Sequence, residues 1–330
     1  MNHSTFKSFT FGIGLFFTLP LVYGNSSSPS SSDGTLYINK SKTHKVAPVK
    51  YGFHYEEIGM MGEGALHAEL IRNRSFEEAT PPAGLSVKNG LYENVPAPSV
   101  KEKKVFQADP LIGWTTYPLS YTPVFISRTD ENPMSGENKY SMLVNVTEDI
   151  ANHPDALILN RGYYGMNLKT DTSYRLSLFL KNRNYSAPLR VFLVDEWGQR
   201  VSNVIEVNVG NRDWTKYTGE LKPEKNVRRG MFAIQPMSKG QFQIDVVSLF
   251  PSDTWNDGKS VFRKDIVQNL KEFSPSFIRF PGGCIVHGVN EETMYHWKKT
   301  LGPIENRPGQ WSKWAPYYRT DGIGYHEFYE

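Results

Sequence analysis

Alternation of apolar and polar residues dominates the middle of the chain. In SYRLSLFLKN the strongly apolar positions fall on every second residue, at Tyr174, Leu176, Leu178 and Leu180. The segment PLRVFLVDEWGQ repeats this alternation and ends in a turn at Glu196-Trp197-Gly198, and NVIEVNVGNRDW and QFQIDVVSLF supply further strands. Short period-two segments separated by turn residues are typical of an antiparallel sandwich. The pattern therefore predicts a β-sandwich over residues 80–250.

A different pattern precedes this region. Residues 46–79 contain VKYGFHYEEIG, which favours a strand, and then GEGALHAELIRNRSF. The second segment favours a glycine-bearing loop and a short helix through Leu66 and Leu70 that ends near Asn73. Together they predict one β-α unit.

The same α/β character returns over residues 251–330. SVFRKDIVQNLKEF places Phe262, Ile266, Leu270 and Phe273 along one helical face. Pro275 ends that helix, and SFIRF is predicted to be a short buried strand before the glycine turn PGG. A sandwich is therefore predicted between two pieces of one α/β domain, and the fold class is α/β plus all-β.

The first residues have the features of an export signal. Lys7 precedes the apolar run FTFGIGLFFTLPLVYG, and small residues follow at a plausible cleavage position. We predict a cleavable signal peptide over residues 1–24, a Ser-rich linker over 25–45, and a secreted or periplasmic protein. No cysteine stands directly after the cleavage position, so no lipid anchor is predicted there, and no later run of about twenty apolar residues predicts a membrane span.

Composition narrows the classes of partner. The chain has 330 residues, of which 39% are hydrophobic and 22% are charged, and this length accommodates about two domains. A net charge of +3 without a Lys/Arg cluster argues against nucleic acid as a partner. The one cysteine, Cys284, cannot form an internal disulfide, so a hydrophobic core must stabilise the fold.

Candidate chemistry lies at the predicted strand ends, where parallel β-α folds place their reactive groups. One strand ends at Glu56 and Glu57, and the other is followed by Arg279 and Cys284. A carboxylate and a guanidinium there could hold a polyol, or could form a structural ion pair. For Cys284 we favour a small buried apolar residue over a nucleophile, because His287 nearby in sequence does not establish a positioned base.

Other cofactor and ligand motifs are missing from the sequence. The eight histidines show no HExxH spacing, so we predict no metal site. GYYGMNL has too few glycines for a dinucleotide fingerprint, and no phosphate-loop pattern occurs, so we predict no cofactor. The aromatic cluster WSKWAPYYRTDGIGYHEF could be a sugar-stacking wall or could pack the outside of a barrel.

A set of ordered motifs resembles a known family. These are YGFHYEEIG with GALHAELIRNRSFE, DVVSLFPSDTW, RKDIVQNLKEFSPSFIRFPGGCIVHG, WKKTLGPIENRPGQW and YYRTDGIGYHEF. In this order they resemble the α-L-arabinofuranosidases of glycoside hydrolase family 51, over nearly everything after residue 46. FPGGC alone would be a weak signal, and five motifs in order make a strong one.

The resemblance implies a (β/α)8 TIM barrel, here partial, interrupted by a jelly-roll β-sandwich like a carbohydrate-binding module. It also implies release of terminal α-L-arabinofuranosyl residues from arabinan or arabinoxylan with retention. By motif, Glu56 matches a glutamate that hydrogen-bonds the arabinose ring, and Arg279 matches an arginine that orders the active-site carboxylates. Cys284 falls on a residue lining the sugar pocket, and Trp314 on an aromatic near it.

The resemblance also implies that the catalytic pair is missing. The family's acid/base and nucleophile lie at the ends of barrel strands four and seven, whereas this chain ends at Glu330 after two or three units. Glu291 follows Asn290 but lies just past the glycine turn, so we reject it as the acid/base. We expect a fragment that is inactive alone and needs a second polypeptide to complete the barrel. The alternative is a secreted carbohydrate-binding protein acting through the sandwich.

Overall fold

The computed structural model describes most of the chain after residue 50. The described residues are 39, 41, 50–80, 87–88, 91–95, 104–107, 109–288, 291–312 and 317–330. The predicted signal peptide lies outside them, as does the predicted linker apart from residues 39 and 41. Contacts separate residues 1–49 from a unit spanning residues 50–330, and everything below concerns the second unit.

Strands greatly outnumber helices among the described residues of this unit. The strands are β1 (Phe53–His54), β2 (Val87–Lys88), β3 (Leu91–Val95), β4 (Lys104–Gln107), β5 (Trp114–Tyr117), β6 (Val124–Thr129), β7 (Ser141–Val146), β8 (Leu157–Asn160), β9 (Met166–Leu168), β10 (Tyr174–Asn182), β11 (Pro188–Val194), β12 (Ile205–Asn208), β13 (Thr215–Leu221), β14 (Val227–Gln235), β15 (Gly240–Pro251), β16 (Ile278–Arg279), β17 (Gln310–Ser312) and β18 (Tyr317–Arg319). The α-helices are α1 (Lys264–Glu272) and α2 (Cys284–His287). Short 3₁₀ turns occupy Ile150–Asn152, Glu291–Thr293, Trp297–Thr300, Ile304–Asn306 and Glu327–Tyr329.

Two antiparallel sheets form the sandwich that the alternation predicts. One has five strands in the order β13-β10-β15-β7-β6, and the other has six, with β12-β11-β14-β8-β5 in line and β9 paired to β14. The inward residues of β10 show the predicted period, because Leu176, Leu178 and Leu180 are at most 2% exposed. The prediction of a β-sandwich is therefore confirmed. The strands β2, β3 and β4 form a separate three-stranded sheet.

The strand β11 departs from simple alternation. Its residues Phe192 and Val194 point away from the main core, yet they are at most 6% exposed. They belong to a second apolar cluster on the outer side of the six-stranded sheet, with Leu157, Leu159, Met231 and Ala233. Period two in the sequence therefore identified the inner face but missed this second buried one.

The flanking segments meet in a small parallel sheet. The strands β1 and β16 pair in parallel, with Phe53 opposite Ile278 and His54 opposite Arg279. The ladder continues beyond them, because the N–H of Tyr55 donates to the carbonyl oxygen of Arg279 over 2.8 Å. The predicted helix before β16 is confirmed as α1. Parallel pairing thus joins two segments separated in sequence by the whole sandwich.

The helix predicted through Leu66 and Leu70 is wrong. One irregular helical turn spans Gly62–Leu66, with Gly64 at φ +81°, and the chain then runs extended. The N–H of Ala68 donates to the carbonyl oxygen of Val261 over 2.8 Å, and that of Leu70 donates to Leu249 over 3.1 Å. Because β15 and the segment after it satisfy these donors, the backbone is held out of a helix.

The predicted burial of the strand SFIRF is also wrong. Phe277 is 54% exposed and Ile278 is 52% exposed. The strand β16 pairs with β1, and within the described residues the two form a sheet of two strands. A sheet this narrow leaves the apolar face of β16 in contact with solvent.

Across the part of the chain that is described, no helix combines the length and apolarity needed to cross a bilayer.

Candidate functional site

The carboxyl ends of β1 and β16 bring a glutamate against a glycine turn. A Cβ atom added at Gly282 would lie 2.5 Å from Cγ of Glu56, and one added at Gly283 would lie 3.3 Å from its Oε2. Gly282 also has φ +147°, which side chains larger than glycine rarely adopt. The turn Pro281-Gly282-Gly283 therefore needs its glycines for two reasons, backbone conformation and close approach to Glu56.

The Glu56 carboxylate is only partly buried. Its side chain is 24% exposed, and Oε2 lies 4.0 Å from Nε2 of His54, which is 43% exposed. The N–H of the next residue, Glu57, donates to the carbonyl oxygen of Pro281 over 3.2 Å and so fixes the backbone beside it. Glu56 thus reaches solvent from a fixed backbone and has acceptor capacity to spare for a ligand hydroxyl group.

Arg279 lies on the neighbouring strand end and is exposed. Its guanidinium makes no hydrogen bond or ion pair within the described residues, so the structural ion pair that the sequence left open is not formed there. A guanidinium without a protein partner keeps its five donors for a ligand or for a carboxylate from elsewhere. Glu56 and Arg279 therefore lie on adjacent strand ends, but their side chains form no ion pair with each other.

Cys284 follows the glycine turn as the first residue of α2. Its side chain is exposed, so the predicted burial of this cysteine is wrong. The helix α2 is only four residues long, which is too short to cover its own first residue. His287, at the other end of this helix, has its Nδ1 2.6 Å from the carbonyl oxygen of Gly288, so the backbone engages that ring nitrogen. Trp314, the fourth predicted site residue, lies outside the described residues.

A buried polar network that the sequence did not predict lies beneath these strand ends. At its centre Glu63, 4% exposed, accepts hydrogen bonds from the hydroxyl of Thr320, from the N–H of Gly322 over 3.3 Å and from the hydroxyl of Tyr163 over 3.3 Å. Nδ1 of His67 lies 3.4 Å from Oε2, the oxygen that the Tyr163 hydroxyl also contacts. The sequence signal that could have predicted this network was the position of Glu63 between two glycines, in the triplet GEG.

The carboxylates of this network lie beside cations, which compensate their charges to different degrees. Burial raises the pKa of Glu63, but His67 and Arg74 and the hydrogen bond from Thr320 outweigh that effect and hold the pKa below its usual range. Asp321 pairs with Arg319, which also lies over the Tyr295 ring at 5.0 Å. Burial nevertheless raises the pKa of Asp321, because the nearby cation offsets only part of the desolvation.

The network leaves no room for a sugar. Glu57, 6% exposed, accepts hydrogen bonds from the hydroxyl of Tyr55 and from the N–H of Gly62. A cavity of about 10 Å³ remains between these groups and Arg319, which is at most the space of one water molecule. The carboxylates of Glu57, Glu63 and Asp321 therefore hold chain segments together, while Glu56, Arg279 and Cys284 face solvent.

A second ion pair links the chain around Asp321 to the last residues of the chain. Nη2 of Arg307 lies 2.6 Å from Oε1 of Glu327, and Nη1 donates to the carbonyl oxygen of Asp321 over 3.0 Å. Despite partial burial, Arg307 lowers the pKa of Glu327. Within the described residues, no group of three or more His, Cys, Asp or Glu side chains is arranged to hold a metal ion.

Comparisons with known proteins identify similar proteins of one kind. The family described as Alpha-L-arabinofuranosidase 1 domain matches residues 269–330. Alpha-L-arabinofuranosidase 1 of Arabidopsis thaliana is 28% identical over 85% of this chain, and the extracellular exo-alpha-L-arabinofuranosidase of Streptomyces chartreusis is 27% identical over 84%. The solved structure of an arabinose-bound GH51 α-L-arabinofuranosidase superposes with a TM-score of 0.69 at 25% identity over 88% of this chain.

These matches define the chain first as a relative of glycoside hydrolases. More narrowly, it is a relative of the family 51 α-L-arabinofuranosidases, as the ordered motifs predicted. The chain spans 38% of the length of the Arabidopsis relative, 30% of the Streptomyces relative and 43% of the solved structure.

Proposed function

We propose that this chain supplies the arabinose-binding strand ends of a retaining α-L-arabinofuranosidase that acts on arabinan or arabinoxylan. The observation that carries the proposal is the carboxylate of Glu56 held against the Gly282-Gly283 turn at the ends of two hydrogen-bonded parallel strands. Names of relatives support it, because these enzymes release arabinofuranosyl units and one solved structure holds arabinose.

Each exposed group at the strand ends has a distinct role in this proposal. Glu56 accepts hydrogen bonds from sugar hydroxyls, which its partly exposed carboxylate can reach. The unpartnered guanidinium of Arg279 orders the active-site carboxylates by charge-assisted hydrogen bonds. Cys284 lines the pocket without attacking the sugar, and Trp314 contributes an aromatic wall.

Catalysis in this proposal requires carboxylates from further strands. Retaining glycosidases use two carboxyl groups about 5–5.5 Å apart. The buried carboxylates described above are enclosed in a network with about 10 Å³ of free space, so they do not fit the task. We take β1 and β16 as part of a (β/α)8 barrel, a fold of about 250 residues. Residues 46–79 and 251–330 belong to that barrel in this proposal, and a second polypeptide supplies the remaining strands.

Export is part of the same proposal. The apolar run before residue 24 fits a cleaved signal peptide, and a polysaccharide substrate is found outside the cell. The relative from Streptomyces chartreusis is named as extracellular, which supports this assignment.

Binding of L-arabinose to the purified chain tests the site. Calorimetric titration should show binding that Glu56→Gln weakens by about tenfold or more, because one charge-assisted hydrogen bond is lost. Glu137→Gln, an exposed carboxylate on a sandwich loop, is the matched control and should bind as the parent does. Absence of binding, or equal loss in both variants, would overturn the assignment of the site.

Hydrolysis of an aryl α-L-arabinofuranoside tests the missing carboxylates. The chain alone should release no aryl alcohol above background. Turnover that disappears in Glu57→Gln or Asp321→Asn, with an unchanged circular dichroism spectrum, would show that the buried network contains the catalytic pair. The proposed division between binding residues and catalytic residues would then be wrong.

A further inference from the structure

Two aromatic side chains stand out from the sandwich instead of packing into it. Tyr164 is 84% exposed and Trp197 is 72% exposed. Both line one open depression of about 760 Å³, together with residues of the adjoining turn and of the start of β14. Isolated exposed aromatics need no explanation, but two of them around one polar depression indicate a binding surface.

The turn that carries Trp197 is held rigidly. The carboxylate of Asp195 accepts hydrogen bonds from the N–H of Trp197 over 3.1 Å and from that of Gln199 over 2.9 Å. It also lies 3.0 Å from Nζ of Lys225, and Gly198 provides the required positive φ of +79°. Partial burial alone would raise the pKa of Asp195, but Lys225 and these N–H groups lower it, so the carboxylate stays charged. The indole is therefore presented by a fixed turn, which limits the entropy cost of binding.

The loop that carries Tyr164 is fixed against β14. Gly165 has φ +88°, and its N–H donates to the carbonyl oxygen of Arg161 over 3.0 Å. A Cβ atom added at Gly165 would lie 3.1 Å from Cα of Arg229, so this loop and β14 approach as closely as a glycine allows. The approach places the Tyr164 ring and the Arg229 side chain around the same depression.

Unpaired cations complete this surface. Arg228 and Arg229 are exposed, and within the described residues neither guanidinium has a hydrogen-bond or ion-pair partner. Lys225 is engaged by Asp195, which leaves the two arginines and Glu196 as the uncompensated charges. A surface with two stacking rings and two free guanidinium groups fits a ligand that has flat sugar faces and carboxylates.

We propose that this surface, formed by Tyr164, Trp197, Arg228 and Arg229, binds a polysaccharide chain that carries uronate groups. The two rings stack on sugar faces, and the arginines pair with the carboxylates by charge-assisted hydrogen bonds. Glu196 disfavours polyanions with a charge on every unit, such as nucleic acid, because it lies within the same depression. The surface lies on the sandwich and needs no hydrolysis, so it goes beyond the proposed function.

Affinity electrophoresis of the full chain in gels with soluble polysaccharide tests the proposal. Partly methyl-esterified polygalacturonate should retard the chain. The retardation by its fully esterified form and by linear arabinan should be smaller by a factor of at least about three. The double variant Tyr164→Ala/Trp197→Ala should weaken binding by about tenfold. Arg228→Gln/Arg229→Gln should retain weak binding but lose the preference for the free acid.

Matched controls separate this surface from general effects. Phe125→Ala removes an aromatic residue that is 55% exposed on β6 of the other sheet. Arg212→Gln removes an exposed arginine on the loop after β12, at the opposite end of the six-stranded sheet. Both controls should bind as the parent does. Because all substituted side chains are exposed, circular dichroism should show every variant folded.

Three outcomes would overturn the proposal. Equal retardation by the free acid and the full methyl ester would show that the surface does not recognise uronate carboxylates. Unchanged binding after loss of both rings would place the site elsewhere. Equal affinity for single-stranded DNA at the same ionic strength would reduce the surface to non-specific charge attraction.

Discussion

The sandwich and the strand-end segment, which comprises the described residues of 50–79 and 251–330, are stabilised in contrasting ways. Phe232, Phe242 and Leu178 in the sandwich core are fully buried among other apolar side chains. In the strand-end segment Phe273, Phe277 and Ile278 are more than half exposed. The buried groups there include carboxylates and guanidinium groups, such as Glu63 and Arg319.

This difference teaches where specificity is located in the molecule. Apolar packing depends on volume and pattern, so many sequences satisfy it. Hydrogen bonds in a buried polar network depend on distance and direction, so the network fixes the geometry of the chain segments that it joins. The network at Glu63 joins the turn after β1 to the segment after β18. It therefore fixes the backbone next to Glu56.

The largest contrast is expected from truncation of aromatic residues in the two regions. Phe242→Ala removes a ring that lies 4.8 Å from that of Tyr185 in the closed core and should lower the free energy of unfolding by about 3–5 kcal/mol. Phe277→Ala in the strand-end segment should lower it by about 0.5 kcal/mol or less, because that side chain is already exposed. Urea denaturation followed by tryptophan fluorescence measures both, and equal losses would contradict the comparison.

A pH-dependent contrast should come from Glu78, at the junction of the two regions. Burial raises the pKa of Glu78 to about 7, and the charge of Glu63 adds to this against the opposing effect of Arg72. The unfolded chain releases this proton near the ordinary value of 4.5, whereas the folded chain keeps it up to about 7. Glu78 should therefore contribute a fall of roughly 3 kcal/mol in stability as the pH rises from about 4.5 to 7.

The variant Glu78→Gln isolates that effect. It should remove this fall in the free energy of unfolding between about pH 4.5 and 7, because the amide does not titrate. Glu137→Gln, whose carboxylate is exposed, should leave the pH profile unchanged. Urea denaturation at a series of pH values measures it, and an identical slope in the parent and in Glu78→Gln would show that the carboxylate titrates normally.

A smaller effect on stability, with a larger one on ligand binding, is expected at the glycine turn. Gly282→Ala places a Cβ atom where Cγ of Glu56 is 2.5 Å away, and it strains the backbone at φ +147°. We expect a loss of about 1–3 kcal/mol in stability and loss of arabinose binding. Gly136→Ala on the sandwich, where nothing lies within 4 Å, should change neither. Retained arabinose affinity in Gly282→Ala would separate the turn from the binding site.

Much of the secondary structure followed from local pattern. The period-two segments became strands because side chains alternate between the two faces of a strand, and the 3.6-residue pattern before Pro275 became α1. The helix expected through Leu66 and Leu70 did not form, because carbonyl groups of Val261 and Leu249 take the donors that a helix would use. Those acceptors lie between about 180 and 190 residues away in the chain, and no local pattern predicts them.

The candidate site was predicted only in part. Glu56 and Arg279 do lie on adjacent strand ends, as the parallel β-α pattern indicated. Cys284 is exposed although its apolar neighbours suggested burial, because the four-residue helix α2 gives it no cover. The sequence did not indicate that Tyr164 and Trp197, in loops on different strands, line one depression.

By itself the sequence determined the alternating strands, the helix α1, the glycine turn and the ordered motifs shared with arabinofuranosidase relatives. These are properties of residues close together in the chain, where side-chain periodicity and backbone conformation act directly. Only the tertiary structure decided which carboxylates are enclosed and which face solvent. Burial and charge compensation depend on residues brought together from distant segments, as Thr320 is brought to Glu63 across 257 positions.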